Sequence, residues 1–367
     1  MSLVGSTLVV MLVIAAAAFV RGMEKSLAQS GSIDNVILLG AGSEESIERS
    51  EIKISAASQA AASIRGIRSR LGVAFVSPEV HMALGVGVTA KDTTLTQAVI
   101  RGVTSSAFLV HPQVRIIEGR AFNTGEDEII VGALAATRLG LPEEALAVGR
   151  QLWVDGRAWT IVGRFEAPNT VMNAEIWCPL ANIMILTRRE TVSCVVLTLG
   201  DAEFADVEAF AATRLDLELV ALRETDYYSQ LTEFYQPVRM MVWVTALLIA
   251  LGGVFGGLNT MYAAFAARVR EIGMLRSLGF GRTAVIVSFV QESAITAAAG
   301  ALIASALSLS LLDGVAVRFS MGAFGLILDG PTIAIGLLAG LVLGLVGSLP
   351  PTLRCLRLPI ATSLKAA

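Results

Sequence analysis

Long uncharged runs flank one charge-bearing section of the 367-residue chain. Residues 3–20, 240–267 and 330–353 hold no charged side chain, and 283–312 holds Glu292 alone. A helix of about 20 apolar residues crosses the roughly 30 Å hydrocarbon core of a bilayer. The pattern predicts transmembrane helices near 3–21, 238–266, 284–312 and 332–349. Between the first two, 22–236 shows the alternation and punctuation of a folded domain. Alternating or β-branched runs predict strands at 36–39, 73–76, 99–103, 114–118, 159–165 and 192–199. Helical stretches are expected at 54–69, 133–139, 179–187 and 203–215. The expected fold class is an α-helical membrane protein with four transmembrane helices plus a large α+β domain inserted between helices 1 and 2. The first span has a second reading as a signal peptide, with the alanines at 15–18 imitating a cleavage site. Its 18 apolar residues and the absence of a basic stretch before them favour a retained anchor.

Composition agrees with a membrane protein. Hydrophobic residues make up 54% and charged residues 16%, where soluble domains carry about 25% charge. A mean hydropathy of +0.68 excludes a disordered chain. The net charge of −3 offers no basic surplus for nucleic acid. Arg268, Arg270, Arg276 and Arg282 crowd 267–283 against Glu271 alone, and Arg354, Arg357 and Lys365 lie in the tail, 350–367. Basic short loops stay in the cytoplasm, so the large domain and 313–330 are expected on the other side. There, Cys178 and Cys194 either pair or remain free buried thiols, the second being the preferred reading.

Catalytic signatures are missing. The sequence contains no GxxxxGK[ST], no HExxH and no G-x-S-x-G. His81 and His111 stand apart and read as core or surface histidines. The expectation is a non-enzymatic chain with no catalytic residues, metal or cofactor of its own.

The spans carry other signals. Gly252 and Gly256 in the second, and Gly336 and Gly340 in the fourth, recur four apart and predict close helix packing. Glu292, about ten residues into the third span, must face protein or water. Residues 222–237 read as a stalk: Tyr227, Leu231 and Phe234 fall at helical spacing, and the pattern supports anchoring of the aromatic rings at the membrane interface, while the sharper reading is a helix running on into the second span and able to carry motion. In 268–280, Val269, Ile272, Leu275 and Leu278 recur every third position, and Gly279 and Gly281 would end the helix. Such a helix could dock a partner or lie on anionic lipid.

The segment 268–282, RVREIGMLRSLGFGR, resembles the cytoplasmic coupling segment of FtsX-like ABC transporter permeases of the MacB and LolC type. The similarity extends to 257–262 (GLNTMY), to 358–366 (LPIATSLKA), and to MacB-like periplasmic core motifs at 114–122, 129–132 and 149–163. The resemblance implies a division into helix 1 (1–21), periplasmic core (22–221), stalk (222–237), FtsX-like domain (238–349) with its coupling helix (268–280), and tail. It implies a permease subunit in a bacterial inner membrane, paired with a second copy or paralogue and driven by a separate ABC ATP-binding subunit that holds ATP and Mg. Arg268, Arg270, Glu271, Ile272, Gly273, Leu275, Arg276 and Gly279 would meet that subunit, and Tyr227, Leu231 and Phe234 would transmit its motion. The substrate would be a lipid, lipoprotein, peptide or drug, with a periplasmic adaptor as a further partner. Alternatively, relatives of this kind activate a periplasmic cell-wall hydrolase without transport. The basic segment that precedes the first span in many members does not appear here, nor does a fused ATPase.

Overall fold

The computed structural model describes residues 3–356 apart from 91, 93, 94 and 321, so the motif at 358–366 lies outside the described residues. The chain divides into an α+β unit, Met23–Tyr235 with Ala316–Gly325, and a helical unit made of Met1–Gly22, Gln236–Val315 and Leu326–Ala367. The elements up to Tyr235 are α1 (Leu3–Ala28), β1 (Asn35–Gly40), β2 (Ile52–Lys53), α2 (Ser55–Ser63), β3 (Ser69–Arg70), β4 (Val73–Ala74), β5 (Val76–Gly87), β6 (Thr96–Val103), α3 (Ala107–Val110), β7 (Arg115–Gly119), β8 (Glu128–Gly132), α4 (Ala135–Leu139), β9 (Gln151–Val154), β10 (Arg157–Glu166), β11 (Ile176–Pro179), α5 (Leu180–Thr187), β12 (Thr191–Val192), β13 (Cys194–Thr198), α6 (Phe204–Thr213), β14 (Leu219–Arg223) and α7 (Glu224–Phe234). They are followed by α8 (Gln236–Ala267), α9 (Val269–Ser277), α10 (Arg282–Leu311), β15 (Ala316–Phe319), β16 (Gly322–Gly325) and α11 (Gly330–Leu356).

In the α+β unit, strand pairing runs β14-β1-β13-β5-β6-β11-β8-β10-β7, and β9 joins β10 to β5. The pairings β5-β6-β11-β8-β10-β9-β5 therefore close a ring of six strands, and β13, β1 and β14 extend from β5 as a wing. Closure pairs the ring strands with one another and leaves β14 and β7 as the outer strands of the sheet. Trp159, Trp177 and Phe165 are the largest fully buried side chains and fill the core with Ile and Val from the alternating strands. The helix expected at 54–69 stops at Ser63. Gly66, at φ +88°, presses against the backbone of Asp201 and Ala202, where no Cβ fits. Cys178 and Cys194 are both buried and free.

Two expectations need correcting. The stalk is not continuous with the second apolar helix: α7 ends at Phe234, and α8 starts at Gln236. Pro237 explains the break, because its ring and missing N–H cannot continue a helix from the preceding turn. The segment 313–330, read as a plain loop, contains the hairpin β15–β16, which belongs to the α+β unit. There the Tyr235 ring meets Phe319 at 5.3 Å, and Tyr235 lies 3.3 Å from the Ser320 hydroxyl.

In the helical unit, α1, α8, α10 and α11 are long and apolar enough to cross a membrane. Gly336 lies against Ile14 and Val10 of α1, and Gly340 against Ala301 of α10, too close for a Cβ to fit without a shift. On α8 Gly253 lies against Val9, whereas Gly252 and Gly256 face open space. Arg21 and Asp329 pair at 2.9 Å, and Asp329 also accepts from Thr332 N–H at 3.2 Å, capping α11, and from the Thr332 hydroxyl at 2.8 Å.

Candidate coupling helix and buried charge cluster

The α9 helix is built on an inward and an outward face. Ile272 is buried against Met261 of α8 and Val285 and Phe289 of α10, with Val269 packed alongside. Gly273 is also buried. Ile272 and Gly273, expected at a partner surface, are instead used to seat the helix. The outward side shows Met274, Leu275, Leu278 and Phe280, with Leu278 76% exposed. Arg270 and Glu271 are exposed beside them, and Arg276 is half-buried. The helix ends in a Schellman turn: Phe280 N–H donates to Leu275 C=O and Gly279 N–H to Arg276 C=O, both at 3.2 Å. Gly279, at φ +95°, adopts the left-handed conformation this turn requires. Arg268, at the other end, donates from Nη1 to both Glu292 oxygens at 2.9 and 3.0 Å.

The stalk residues divide similarly. Tyr227 is buried, and its hydroxyl accepts from Ile47 N–H at 3.5 Å; burial pushes its phenol up to about 12. Leu231 is half-buried and Phe234 is 75% exposed.

A second site, at the root of α7, was not read from the sequence. Strand alternation puts Glu79 and His81 on one face of β5. Register sets His81 opposite Arg101 of β6, Arg101 opposite Trp177 of β11, and Glu79 opposite Cys194 of β13. Arg101 donates from Nε and Nη2 to Glu175 at 2.7 Å each, and from Nη1 to Glu79 at 2.9 Å. Trp177 Nε1 donates to Glu175 at 2.8 Å. The Nε2 atoms of His111 and His81 lie 3.0 and 3.2 Å from Glu79. Glu224, the first residue of α7, accepts from Ser32 N–H at 2.8 Å and Asn35 Nδ2 at 2.9 Å, and His111 Nδ1 lies 4.0 Å away.

All these side chains are buried, and their charges decide their titration. Burial pushes the Glu79 carboxyl up, but His111 and Arg101 overcome it and hold it well below the carboxylate range. Burial would lower His111; the Glu79 charge reverses this and raises it. His81 is lowered by burial and by Arg101. Glu224 is raised, chiefly by burial. The Glu79, His81 and Cys194 ligand atoms lie within 4.8 Å of one another. That spacing does not make a metal site here. Arg101 already lies on Glu79, and burial raises the Cys194 thiol well above its ordinary value, away from the thiolate a metal needs.

Comparison with known proteins agrees with this architecture. Residues 1–213 match the MacB-like periplasmic core domain, and 243–360 match the FtsX-like permease C-terminal domain. The macrolide export ATP-binding/permease protein MacB of Bradyrhizobium diazoefficiens is 22% identical over 284 residues, which is 71% of this chain and 43% of that protein. The chain thus spans less than half the length of this relative. The periplasmic region of MacB from Actinobacillus actinomycetemcomitans aligns at 14% identity over 56% of this chain and 94% of its own, with a TM-score of 0.41. The extracellular domain of the noncanonic ABC-type transporter YknZ from Gram-positive bacteria aligns at 12% over 51% and 97%, with a TM-score of 0.38. With the first domain model covering more than half of it and the second most of the remainder, the chain belongs to the FtsX-like, MacB-type family of ABC transporter permeases.

Proposed function

We propose that the chain is the permease subunit of an ATP-driven complex in a bacterial inner membrane. The four apolar helices are its membrane crossings, α9 faces the cytoplasm, and the α+β unit faces the periplasm. The observation that carries this reading is α9 itself. It is a short helix between two apolar helices, seated by Ile272, ended by Gly279, and showing Met274, Leu275 and Leu278 outward beside Arg270 and Glu271. An apolar face with a charged rim suits the groove of a protein partner. That partner is an ABC ATP-binding subunit, which binds ATP and Mg and supplies the hydrolysis. A second permease chain covers the open face of α8 around Gly252 and Gly256. Nucleotide-driven closure of the ATP-binding subunits displaces α9, and the periplasmic unit uses the motion to export or extract a lipid, lipoprotein, peptide or drug.

The test is purification of the tagged full chain in mild detergent, with mass spectrometry of what accompanies it. An ATP-binding subunit at one-to-one ratio is expected, and Leu275→Asp should remove it. Purification of the chain alone, or retention of the same subunit by Leu275→Asp, overturns the docking assignment.

A further inference from the structure

The ion pair between Arg268 and Glu292 joins residues 24 positions apart, within the helical unit. Glu292 is the one charged residue between Thr283 and Leu312. A carboxylate in an apolar helix costs about 2.5–3.5 kcal/mol on insertion scales when it lies near the bilayer centre. Here a guanidinium held at 2.9 Å compensates the charge. The spacing shows what the pair accomplishes. Val285, Phe289 and Glu292 stand at i, i+4 and i+7 and so share one stripe of α10. Ile272 packs on the first two and Arg268, four residues before it, meets the third. The α9 helix is therefore fastened along two turns of α10, by apolar contact at one point and by charge at the other. The docking residues Leu275 and Leu278 lie beyond Ile272, on the side away from Arg268. At 1.5 Å per residue, Leu278 and Arg268 are about 15 Å apart along the axis. A single apolar contact at Ile272 would let a pushed helix pivot. The second attachment at Arg268 makes the same push move α10.

We infer that Glu292 and Arg268 are positioning residues, forming the joint that carries displacement of α9 into α10. This inference rests on the proposed docking of an ATP-binding subunit at α9, and it assigns Arg268 to an ion pair within the permease rather than to that subunit's surface. Neither residue is needed to hold the partner, because neither belongs to the outward apolar face.

The experiment uses the full-length complex in proteoliposomes, with Cys355→Ser and Gln230→Cys introduced so that labelling of this exposed α7 position by a membrane-impermeant maleimide reports periplasmic rearrangement. Rates are compared with and without ATP and vanadate. In the parent complex the subunit co-purifies and ATP changes the labelling rate. If the parent complex fails either, the docking reading has failed, and the joint with it. Glu292→Gln and Arg268→Gln should keep the subunit at the parent ratio and the parent melting temperature. Their ATP-dependent change should shrink at least about fivefold, the lower end of ordinary coupling between sites. The exchanged pair Arg268→Glu with Glu292→Arg should restore it. A full ATP-dependent change in both single variants overturns the inference, and so does loss of the subunit in Glu292→Gln. Failure of the exchanged pair to recover any of the change also overturns it.

Discussion

Replacing Arg101 with methionine removes the guanidinium that bridges Glu79 and Glu175. The side chains of Arg101, Glu79 and Glu175 are 3, 0 and 7% exposed, and three charge-assisted hydrogen bonds of 2.7, 2.7 and 2.9 Å are lost together. Glu175 is left buried without its main counter-charge, and Glu79 keeps only the histidines. Breaking a buried pair from one side costs about 3–5 kcal/mol, most of it the penalty on the stranded charge. In a unit of this size, 1 kcal/mol shifts the melting temperature by about 2–4 °C. The expected loss is therefore roughly 6–20 °C. The assay is thermal unfolding of the full chain in detergent at fixed scan rate, followed by tryptophan fluorescence. Trp177 is a local reporter, since its indole N–H donates to Glu175. The triple variant Glu79→Gln, Arg101→Met, Glu175→Gln removes all three charges and should lose less than half as much, because uncharged groups pay far less on burial. A single variant melting within about 2 °C of the parent, below the shift expected for even 1 kcal/mol, would refute the reasoning. A triple variant as unstable as the single would refute it too.

Two further outcomes follow from the same structure. His111 is raised from its ordinary 6.5, so the stability it contributes is present below that value and lost as pH rises through its folded-state pKa; Glu224, also raised, acts in the same direction from the carboxylate range. Glu79 is depressed, so its contribution is present above the carboxylate range and lost as pH falls through its folded-state value. The melting temperature should therefore decline on the alkaline side of 6.5, and His111→Gln should flatten that decline; an unchanged slope in the variant would count against the assigned pairing. In the helical unit, a Cβ at Gly340 would come 2.6 Å from the Ala301 Cβ. Gly340→Leu should destabilise the detergent-solubilised chain by about 1–3 kcal/mol, whereas Gly252→Ala, with nothing of its own chain within 4 Å, should cost nothing in the chain separated from a second copy and gain up to about 1 kcal/mol of helix propensity. Equal melting temperatures for the two variants would contradict the packing described.

The apolar helices were legible because a bilayer demands length and the absence of charge, and both are local in sequence. The α9 helix was legible for a similar reason, in its three-residue apolar spacing and terminal glycine. What the spacing could not show is that Ile272 faces inward while Leu275 and Leu278 face outward, since that depends on where α8 and α10 pass. The partner of Glu292 was hidden by the 24 residues that separate it from Arg268. The buried charge cluster was missed because β5 was not recognised beyond its first residue: Pro78, Gly85 and Gly87 interrupt its apolar pattern. A signal was present nonetheless. Glu79 and His81 stand two apart in a run of otherwise apolar character, and Arg101 sits between Ile100 and Gly102 in another. Ionisable residues inside apolar strands must find one another, and these three do.

The β5 strand pairs with β13 over Val76–Glu79 and with β6 over Val80–Val86. The handover from wing to ring thus falls at Glu79, the residue that gathers Arg101, His81 and His111. A seam between two sheets is normally where a domain comes apart first under partial denaturation. Here, opening the seam would expose ionic groups whose compensation comes from both sides, so neither sheet can be released while the other stays intact. Amide protons of the wing and the ring should accordingly exchange with solvent at one common free energy. A protease should find the α+β unit either whole or wholly degraded.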